Sequence, residues 1–251
     1  MIKSKRCSFI NDWHGQLNFS IEDVEKFWSK VAVHEYENAN DTFSETHTQR
    51  FRISLKHLEL KNNARLLNIW SRQGEAIPYI RKIYPNVSLH NFEVSSEMIR
   101  QSKQRFPDEN FQYTDLCNID FRDNYFDGII SLEMLEHSPY PTHIIKEMWR
   151  VLKPGCRLVL TCPSALSEIH LYFADKFLNN HGEGPHRFHS INLVKRMLRY
   201  TKLNLIFHKS TLFIPSELGK TFGILNRFCE CLMQWDPANE FGLRQLYVCE
   251  K

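Results

Sequence analysis

The sequence predicts an α/β protein built on a mostly parallel sheet with helices on both faces. From Arg65 onward, strand-like apolar segments alternate with amphipathic helical segments. The segments "FDGIISLEM" and "CRLVLTCPS" are almost continuously apolar. Such runs are typical of parallel strands that are covered on both faces. Two further strand-like segments, 203–210 and 243–251, close the chain.

Before Arg65 the sequence predicts helices. One helix begins after Ser20, a suitable N-cap that is followed by acidic residues in the first turn. A second is predicted from Ser44 to Leu60, because its apolar residues recur at helical spacing. We therefore expect a helical extension over 1–60 that precedes a single domain over 61–251.

Within that domain the order of elements follows from the alternation. Helices are predicted over 75–84, 95–106, 141–152 and 190–200, the last with Ser190 as its N-cap. Strands are predicted over 64–70, 87–94, 111–116, 126–134 and 156–164. Two aromatic-rich inserts, 165–189 and 211–242, interrupt the pattern, and long connections of this kind tend to be lids or partner surfaces.

Composition excludes several classes of protein. With 42% hydrophobic and 24% charged residues the 251-residue chain can bury a core, and a net charge of +3 does not demand a nucleic-acid partner. We find no signal-peptide pattern and no apolar run long enough to span a membrane. The seven cysteines lack zinc-ligand spacing, which predicts reduced thiols in a cytoplasmic protein.

Polar residues at three strand ends predict a binding site, because ligands of open parallel sheets lie beyond the carboxyl ends of the strands. The first strand runs into a turn over 68–74, and the second ends at Glu93, 19 residues after Gly74. An acid at that position can accept both hydroxyls of a ribose. Asp115 can accept from an adenine amine, with Met98 and Leu116 on either side of the base. The alternative is that both acids lie on a solvated edge.

The stretch "NYFDGIISLEMLEHSPYPTHIIKEMWRVLKPGCRLVLTCPS", residues 124–164, resembles the central block of class I S-adenosylmethionine-dependent methyltransferases of the type 11 kind. The resemblance covers about residues 60–210 and includes "HRFHSINLVKRML". It implies a Rossmann-like sheet of seven strands whose last strand is antiparallel, and it implies S-adenosylmethionine as the cofactor.

The resemblance also assigns roles to residues. The opening turn would contact the methionine part and the ribose of the cofactor, Glu93 would bind the ribose, Asp115 the adenine, and the segment Ser131 to Glu133 would border the transferred methyl group. The residues expected at the cofactor are Asn68, Ile69, Trp70, Gly74, Glu93, Val94, Met98, Asp115, Leu116 and Ser131.

The opening turn departs from the family pattern. The family usually has an acid where Asn68 stands, and glycines where Trp70 and Arg72 stand. If the turn kept the family path, Trp70 would collide with the cofactor. If the turn swung these side chains outward, the strain of about 1–3 kcal/mol would weaken binding by about 5- to 150-fold.

Two further clusters are candidates for chemistry. Glu133, Glu136 and His137 would share one face of a helical turn. This face could hold a divalent ion, or His137 could act as a general base. The alternative is that Glu133 borders the cofactor and the other two residues cap a loop. In "HGEGPHRFH", His186 and Arg187 could face the acceptor, or the histidines could simply order the loop. Catalytic roles are thus predicted for His137, His186 and Glu133.

Two functions remain open. The first is methyl transfer to an oxygen or nitrogen of a small or medium-sized acceptor, and a similar Glu-Met-Leu-Glu-His run in quinone-biosynthesis O-methyltransferases favours oxygen. The second is a catalytically inactive methyltransferase fold that binds a partner, or a second copy of itself, through 211–242. A nicotinamide oxidoreductase is disfavoured because the turn lacks the glycines that a pyrophosphate requires.

Overall fold

The computed structural model describes residues 18–33, 44–168, 184–212 and 242–251. Two helices precede the sheet, α1 (Ile21–Val33) and α2 (Ser44–Leu55). The predicted N-cap is confirmed, because the Asp23 N–H donates to Ser20 Oγ at 3.2 Å and the Ser20 N–H donates to Asp23 Oδ2 at 2.9 Å. The α2 helix ends at Leu55, five residues before the predicted end, and the chain then turns toward the first strand.

The described residues form one sheet whose strands alternate with helices along the chain, as predicted. The strands are β1 (Arg65–Ile69), β2 (Ser88–Glu93), β3 (Asn110–Tyr113), β4 (Phe126–Leu132), β5 (Leu152–Pro163), β6 (Asn204–Leu212) and β7 (Arg244–Glu250). The helices between them are α3 (Ile77–Ile83), α4 (Ser96–Arg105), α5 (Pro141–Val151) and α6 (Ile191–Tyr200). A short 3-10 helix, Leu135–His137, follows β4.

The sheet has the order β3-β2-β1-β4-β5-β7-β6. The β1 strand pairs in parallel with both β2 and β4, and β7 is antiparallel to both of its neighbours. The predicted Rossmann-like sheet with an antiparallel last strand is therefore confirmed. Because the strand order reverses between β1 and β4, a crevice is expected beyond Ile69 and Ser131, which are register partners.

Helices cover both faces of the sheet. One core cluster joins α1, α4, α5 and α6 to the sheet, and a second joins α2 and α3 to the opposite face. The Ser95 and Ser190 hydroxyls cap α4 and α6 by accepting from the Met98 and Leu193 N–H groups, and the second of these caps was predicted. The α1 helix packs against α4 on the face that borders the crevice.

The two inserts lie mostly outside the described residues, and so does the predicted partner surface over 211–242. The described segment 184–190 pairs with the sheet through a bridge between Ser164 and His189. The Arg187 N–H donates to the Glu136 carbonyl at 2.8 Å, which holds this segment beside the 3-10 helix. None of the described helices combines the length and apolarity needed to cross a membrane.

Candidate functional site

The opening turn follows a left-handed path at the three positions where the family pattern has glycine. The φ angles of Trp70, Arg72 and Gly74 are +68°, +50° and +81°. Only Gly74 suits this region, and a Cβ there would come within 2.8 Å of Phe106 Cε2. A bulky residue at positive φ is a steric outlier that costs about 1–3 kcal/mol. The turn therefore keeps the path of a glycine-rich turn with two residues that oppose it.

Glu93 braces this turn from the end of β2. Its Oε2 accepts from the Arg72 N–H at 2.7 Å, and its Oε1 accepts from the Val94 and Ser95 N–H groups at 2.8 and 3.0 Å. The side chain is completely buried. Burial raises the pKa of the Glu93 carboxyl, and the three N–H donors oppose that rise because they favour the charged form. These bonds compensate part of the strain at Arg72.

The indole of Trp70 lies in the crevice, where it joins a buried cluster. It stacks on the His137 ring with a centroid distance of 5.2 Å and an interplanar angle of 11°. The Trp28 ring of α1 meets both edge-on, with centroids 5.9 Å from Trp70 and 5.3 Å from His137. The Arg72 guanidinium lies 4.0 Å from the centroid of the Trp28 ring. Trp70 therefore packs against protein side chains, and its collision with a cofactor stays a prediction.

Both indoles of this cluster bury their polar atom, and the described part of the chain offers neither a partner. The Nε1 atoms of Trp28 and Trp70 have no hydrogen-bond acceptor among the described residues. An unsatisfied buried donor costs about 1–3 kcal/mol. The packed arrangement is therefore stabilised by aromatic contacts and destabilised by backbone strain in the turn and by the two indole N–H groups.

Asn68 does not face this cluster. Its Nδ2 donates to Asn91 Oδ1 at 2.9 Å, and Asn91 Nδ2 donates in turn to the Asn110 carbonyl at 3.1 Å. The amide therefore ties three neighbouring strands together. The amide nitrogen of Asn68 is thus engaged within the sheet, and the contact of this residue with a cofactor stays a prediction.

The residues predicted for the adenine lie close together beneath α1. Met98 and Leu116 are buried in the same core cluster as the apolar face of α1, as are Ile69 and Val94. Asp115 is half-buried, and its Oδ1 accepts from the Cys117 and Asn118 N–H groups at 2.8 and 3.0 Å. Asp115 thus caps its own loop with one carboxylate oxygen.

The end of β4 carries a second acid in a different setting. Glu133, with φ +55°, forms ion pairs with Arg50 of α2 and Arg244 of β7, and both arginines are buried. Ser131 is also buried, and its Oγ has no hydrogen-bond partner within the described residues. Sequence reasoning predicted Glu133 and Ser131 but missed both arginines, since neither belongs to a motif.

His137 is fully buried, and its Nδ1 lies 2.9 Å from the Pro185 carbonyl oxygen. Because only an N–H can donate to a carbonyl, the proton of the neutral ring belongs on Nδ1. Burial is the main cause that lowers the pKa of His137 from 6.5 to about 3. A base that weak is poorly matched to neutral pH, so a catalytic role as a general base is not favoured for His137.

Two of the three histidines in the "HGEGPHRFH" stretch, His186 and His189, lie on segment 184–190. His186 Nδ1 is 2.7 Å from the Gly184 carbonyl oxygen, and its Nε2 is 3.7 Å from Glu168 Oε2. His189 is buried, which lowers its pKa, and His181 lies outside the described residues. Among the residues that the structure describes, no three His, Cys, Asp or Glu side chains are grouped to hold a metal ion.

Part of the chain is similar to known methyltransferases. Residues 69–160 match the model of a methyltransferase domain. The chain is 30% identical over 145 residues to 27-O-demethylrifamycin SV methyltransferase of Amycolatopsis mediterranei, covering 55% of this chain and 53% of that enzyme. It is 31% identical over 141 residues to demethylmenaquinone methyltransferase of Paenarthrobacter aurescens, covering 55% and 54%. The chain thus spans about half the length of these curated relatives.

The fold has solved counterparts. The [4+2]-cyclase SpnF superposes with a TM-score of 0.68 at 13% identity, covering 93% of this chain and 97% of that one. At this identity the likeness concerns the fold alone, and a cyclase on the same fold shows that fold does not fix the reaction. The domain match and the sheet order agree: residues 69–160 carry a methyltransferase domain, and the sheet has the Rossmann-like arrangement of class I S-adenosylmethionine-dependent methyltransferases.

Proposed function

We propose that the chain transfers a methyl group from S-adenosylmethionine to an oxygen or nitrogen atom of a small or medium-sized acceptor. The match to a methyltransferase domain supports methyl transfer. The single structural observation that carries the proposal is the turn over 70–74, which keeps the left-handed glycine path although two of its residues oppose it. Backbone strain of this kind persists only where the surrounding structure enforces it, and strained residues are concentrated at functional sites.

The nucleoside half of the cofactor fits the residue types present. Glu93 stands at the tip of β2, and its two oxygens accept three N–H bonds out of about four lone-pair positions. Asp115 uses Oδ1 for its own loop. Met98 and Leu116 would provide apolar walls for the base. We infer that Glu93 would hold the ribose and Asp115 the adenine amine.

The methionine half of the cofactor would lie between the opening turn and the end of β4, but this space is too small for it in the present structure. The turn and the end of β4 border the crevice from both sides, yet the rings of Trp28, Trp70 and His137 fill the space between them. The chain therefore has the residue types that the cofactor needs, but in this structure side chains close the crevice. Binding requires these side chains, and the helix that carries Trp28, to move.

The cofactor supplies a methyl group on a positively charged sulfur, so the protein has mainly to position the acceptor and accept its proton. His186 is a better candidate for the proton than His137, because its side chain keeps 12% of its surface exposed whereas His137 is fully buried, and because it lies on the segment beside the 3-10 helix. His137 would instead fix that segment through Pro185. Glu133, held by two arginines, would border the acceptor without taking its proton.

The relatives support a small-molecule acceptor. The names of the two described above refer to a rifamycin and to a menaquinone precursor, and the first of these names denotes a methyl group on oxygen. These names describe those proteins, which match only about half their length here. We extend from them only the class of acceptor, an organic molecule of small or medium size.

One observation favours a second function. The filled crevice would suit a methyltransferase fold that no longer binds its cofactor and serves instead to bind a partner. In that case the aromatic cluster would be a permanent core, and no nucleoside would compete with it.

Calorimetric titration of the full chain with S-adenosylhomocysteine separates these functions. We expect saturable binding that Asp115→Asn weakens by about tenfold, because the amide keeps the loop cap through its oxygen but loses one charge-assisted acceptor. Asp108→Asn, an exposed change on a neighbouring turn, is the matched control and should bind like the wild type. Absence of any heat at millimolar ligand would overturn the proposal and favour the partner-binding function.

A further inference from the structure

The α1 helix contributes the side chain that closes the crevice. Trp28 contacts Trp70 and Arg72 of the opening turn and His137 after β4. These contacts span the gap between the carboxyl ends of β1 and β4, where ligands of this sheet topology bind. The Trp70 and His137 rings also stack directly on each other, and the Trp28 ring meets both edge-on. The Trp28 ring therefore lies at the edge of the sheet where this topology places a ligand.

The same helix also extends over the nucleoside half of the site. Its Ser29 Oγ lies 2.8 Å from Ser95 Oγ, two residues beyond Glu93. Gln101 of α4 donates to the Ala32 carbonyl at 3.1 Å, and the Tyr113 hydroxyl at the end of β3 donates to Glu25 at 3.5 Å. The helix thus runs along the carboxyl edge from β3 to β4 and isolates Glu93 from solvent.

The segment 184–190 closes on α1 from the opposite side. A Cβ on Gly184, where φ is +69°, would lie 2.4 Å from Phe27 Cδ1. The next residue, Pro185, presents its carbonyl to His137. The helix is therefore packed between α4 and this segment, and its movement would release His137 and the segment together.

The contacts that retain α1 are mainly apolar. The buried face consists of five residues that are at most 1% exposed: Val24, Phe27, Trp28, Val31 and Ala32. Two features of the closed form oppose this stabilisation: two indole N–H groups have no acceptor in the described structure, and two residues of the opening turn, Trp70 and Arg72, have positive φ. Water would hydrogen-bond both N–H groups in an open form. The closed form is therefore stabilised by apolar packing, which outweighs the loss of these hydrogen bonds.

We propose that α1 is a displaceable internal occupant of the cofactor crevice, and that S-adenosylmethionine and the Trp28 side chain exclude each other. This inference rests on the proposed function. The helix would then weaken cofactor binding, because the apparent dissociation constant of the cofactor equals its intrinsic constant divided by the fraction of molecules in which α1 has left the crevice. Any partner or acceptor that holds α1 away from the crevice would then raise cofactor affinity.

A reversible lock tests this directly. The Ser29 and Ser95 hydroxyls are close enough for the double variant Ser29→Cys/Ser95→Cys to form a disulfide, and that bond would hold α1 closed. We expect the oxidised variant to bind S-adenosylhomocysteine at least about tenfold more weakly than the same variant after reduction. Because both forms share one sequence, reduction controls for the lost α4 cap. Peptide mapping identifies the bond among the other cysteines.

A second variant acts in the opposite direction. Trp28→Ala removes the ring that fills the crevice, and we expect S-adenosylhomocysteine to bind at least about fivefold more tightly than to the wild type. Trp149→Ala, near the C-terminal end of α5 where the ring contacts Lys251, is the matched control and should change affinity by less than about twofold. Hydrogen exchange gives an independent readout, since saturating ligand should speed the exchange of the α1 amides.

The outcomes separate the two proposals. If the oxidised and reduced forms bind the ligand equally, or the ligand slows exchange in α1, the helix is not a competing occupant, although the proposed function stands. If neither the wild type, the reduced double variant nor Trp28→Ala binds the ligand, both proposals are overturned.

Discussion

Two acids flank β1 at the carboxyl edge of the sheet, and their surroundings differ. Glu93 is the last residue of β2 and is held by backbone N–H groups of its own segment and of the adjoining turn. Glu133 follows β4 and is held by guanidinium groups from α2 and β7, which are 83 and 111 residues away in sequence. The first acid organises local backbone, whereas the second balances charge brought in by distant elements. Strand-end position alone therefore does not determine what an acid does.

The largest expected effect concerns Glu133. Glu133→Ala should lower the free energy of unfolding by about 3–5 kcal/mol, because it leaves two buried guanidinium groups without this acid. Urea denaturation measures the change. Adding Arg50→Met to the same chain should recover part of the loss, since one uncompensated charge is then gone. A double variant less stable than the single one would contradict this account of the ion pairs.

Glu93→Gln should cost somewhat less, about 2–3 kcal/mol. The amide oxygen can still accept from Val94 and Ser95, but the amide nitrogen then faces the Arg72 N–H, so that two donors meet. Glu97→Gln on the surface of α4 serves as the control, with an expected change within about 0.5 kcal/mol. Equal stability of the two variants in urea would show that Glu93 does not brace the turn.

The smallest expected effect is the pH dependence of stability that His137 causes. His137 stays neutral in the folded chain down to its pKa of about 3, whereas in the unfolded chain it takes up a proton below its ordinary value of 6.5. Stability therefore falls as the pH drops from 6.5 toward 3, and this residue alone removes about 2 kcal/mol by pH 5.

Denaturation of the wild type and of His137→Gln at pH 7 and pH 5 checks this sign and size. The wild type should lose about 2 kcal/mol more than the variant between the two values. A loss of the same size in both proteins would mean that other groups, such as the partly buried His90, account for the acid sensitivity.

The sequence allowed the fold to be predicted because its signals are local. Apolar runs, helical spacing and the Ser20 and Ser190 caps depend on near neighbours, and the structure confirms each of them. The position of Glu93 at the tip of β2 followed from its distance to Gly74 and is also as predicted.

The occupation of the crevice could not be predicted from such signals. Trp28 reads as an ordinary apolar residue of an amphipathic helix, and its contact with Trp70 joins segments 42 positions apart. Arg50 and Arg244 meet Glu133 only after the sheet has formed. The left-handed path of Trp70 and Arg72 contradicts residue preference, and it persists because packing and the bonds to Glu93 outweigh that preference.

The most direct test of cofactor binding at this edge is a crystal structure of the full chain grown with saturating S-adenosylhomocysteine. We expect the nucleoside beside Glu93 and Asp115, with the Trp28 ring out of contact with Trp70 and His137. Crystals in which these three rings keep their contacts, and in which no nucleoside lies beside Glu93, would contradict the account.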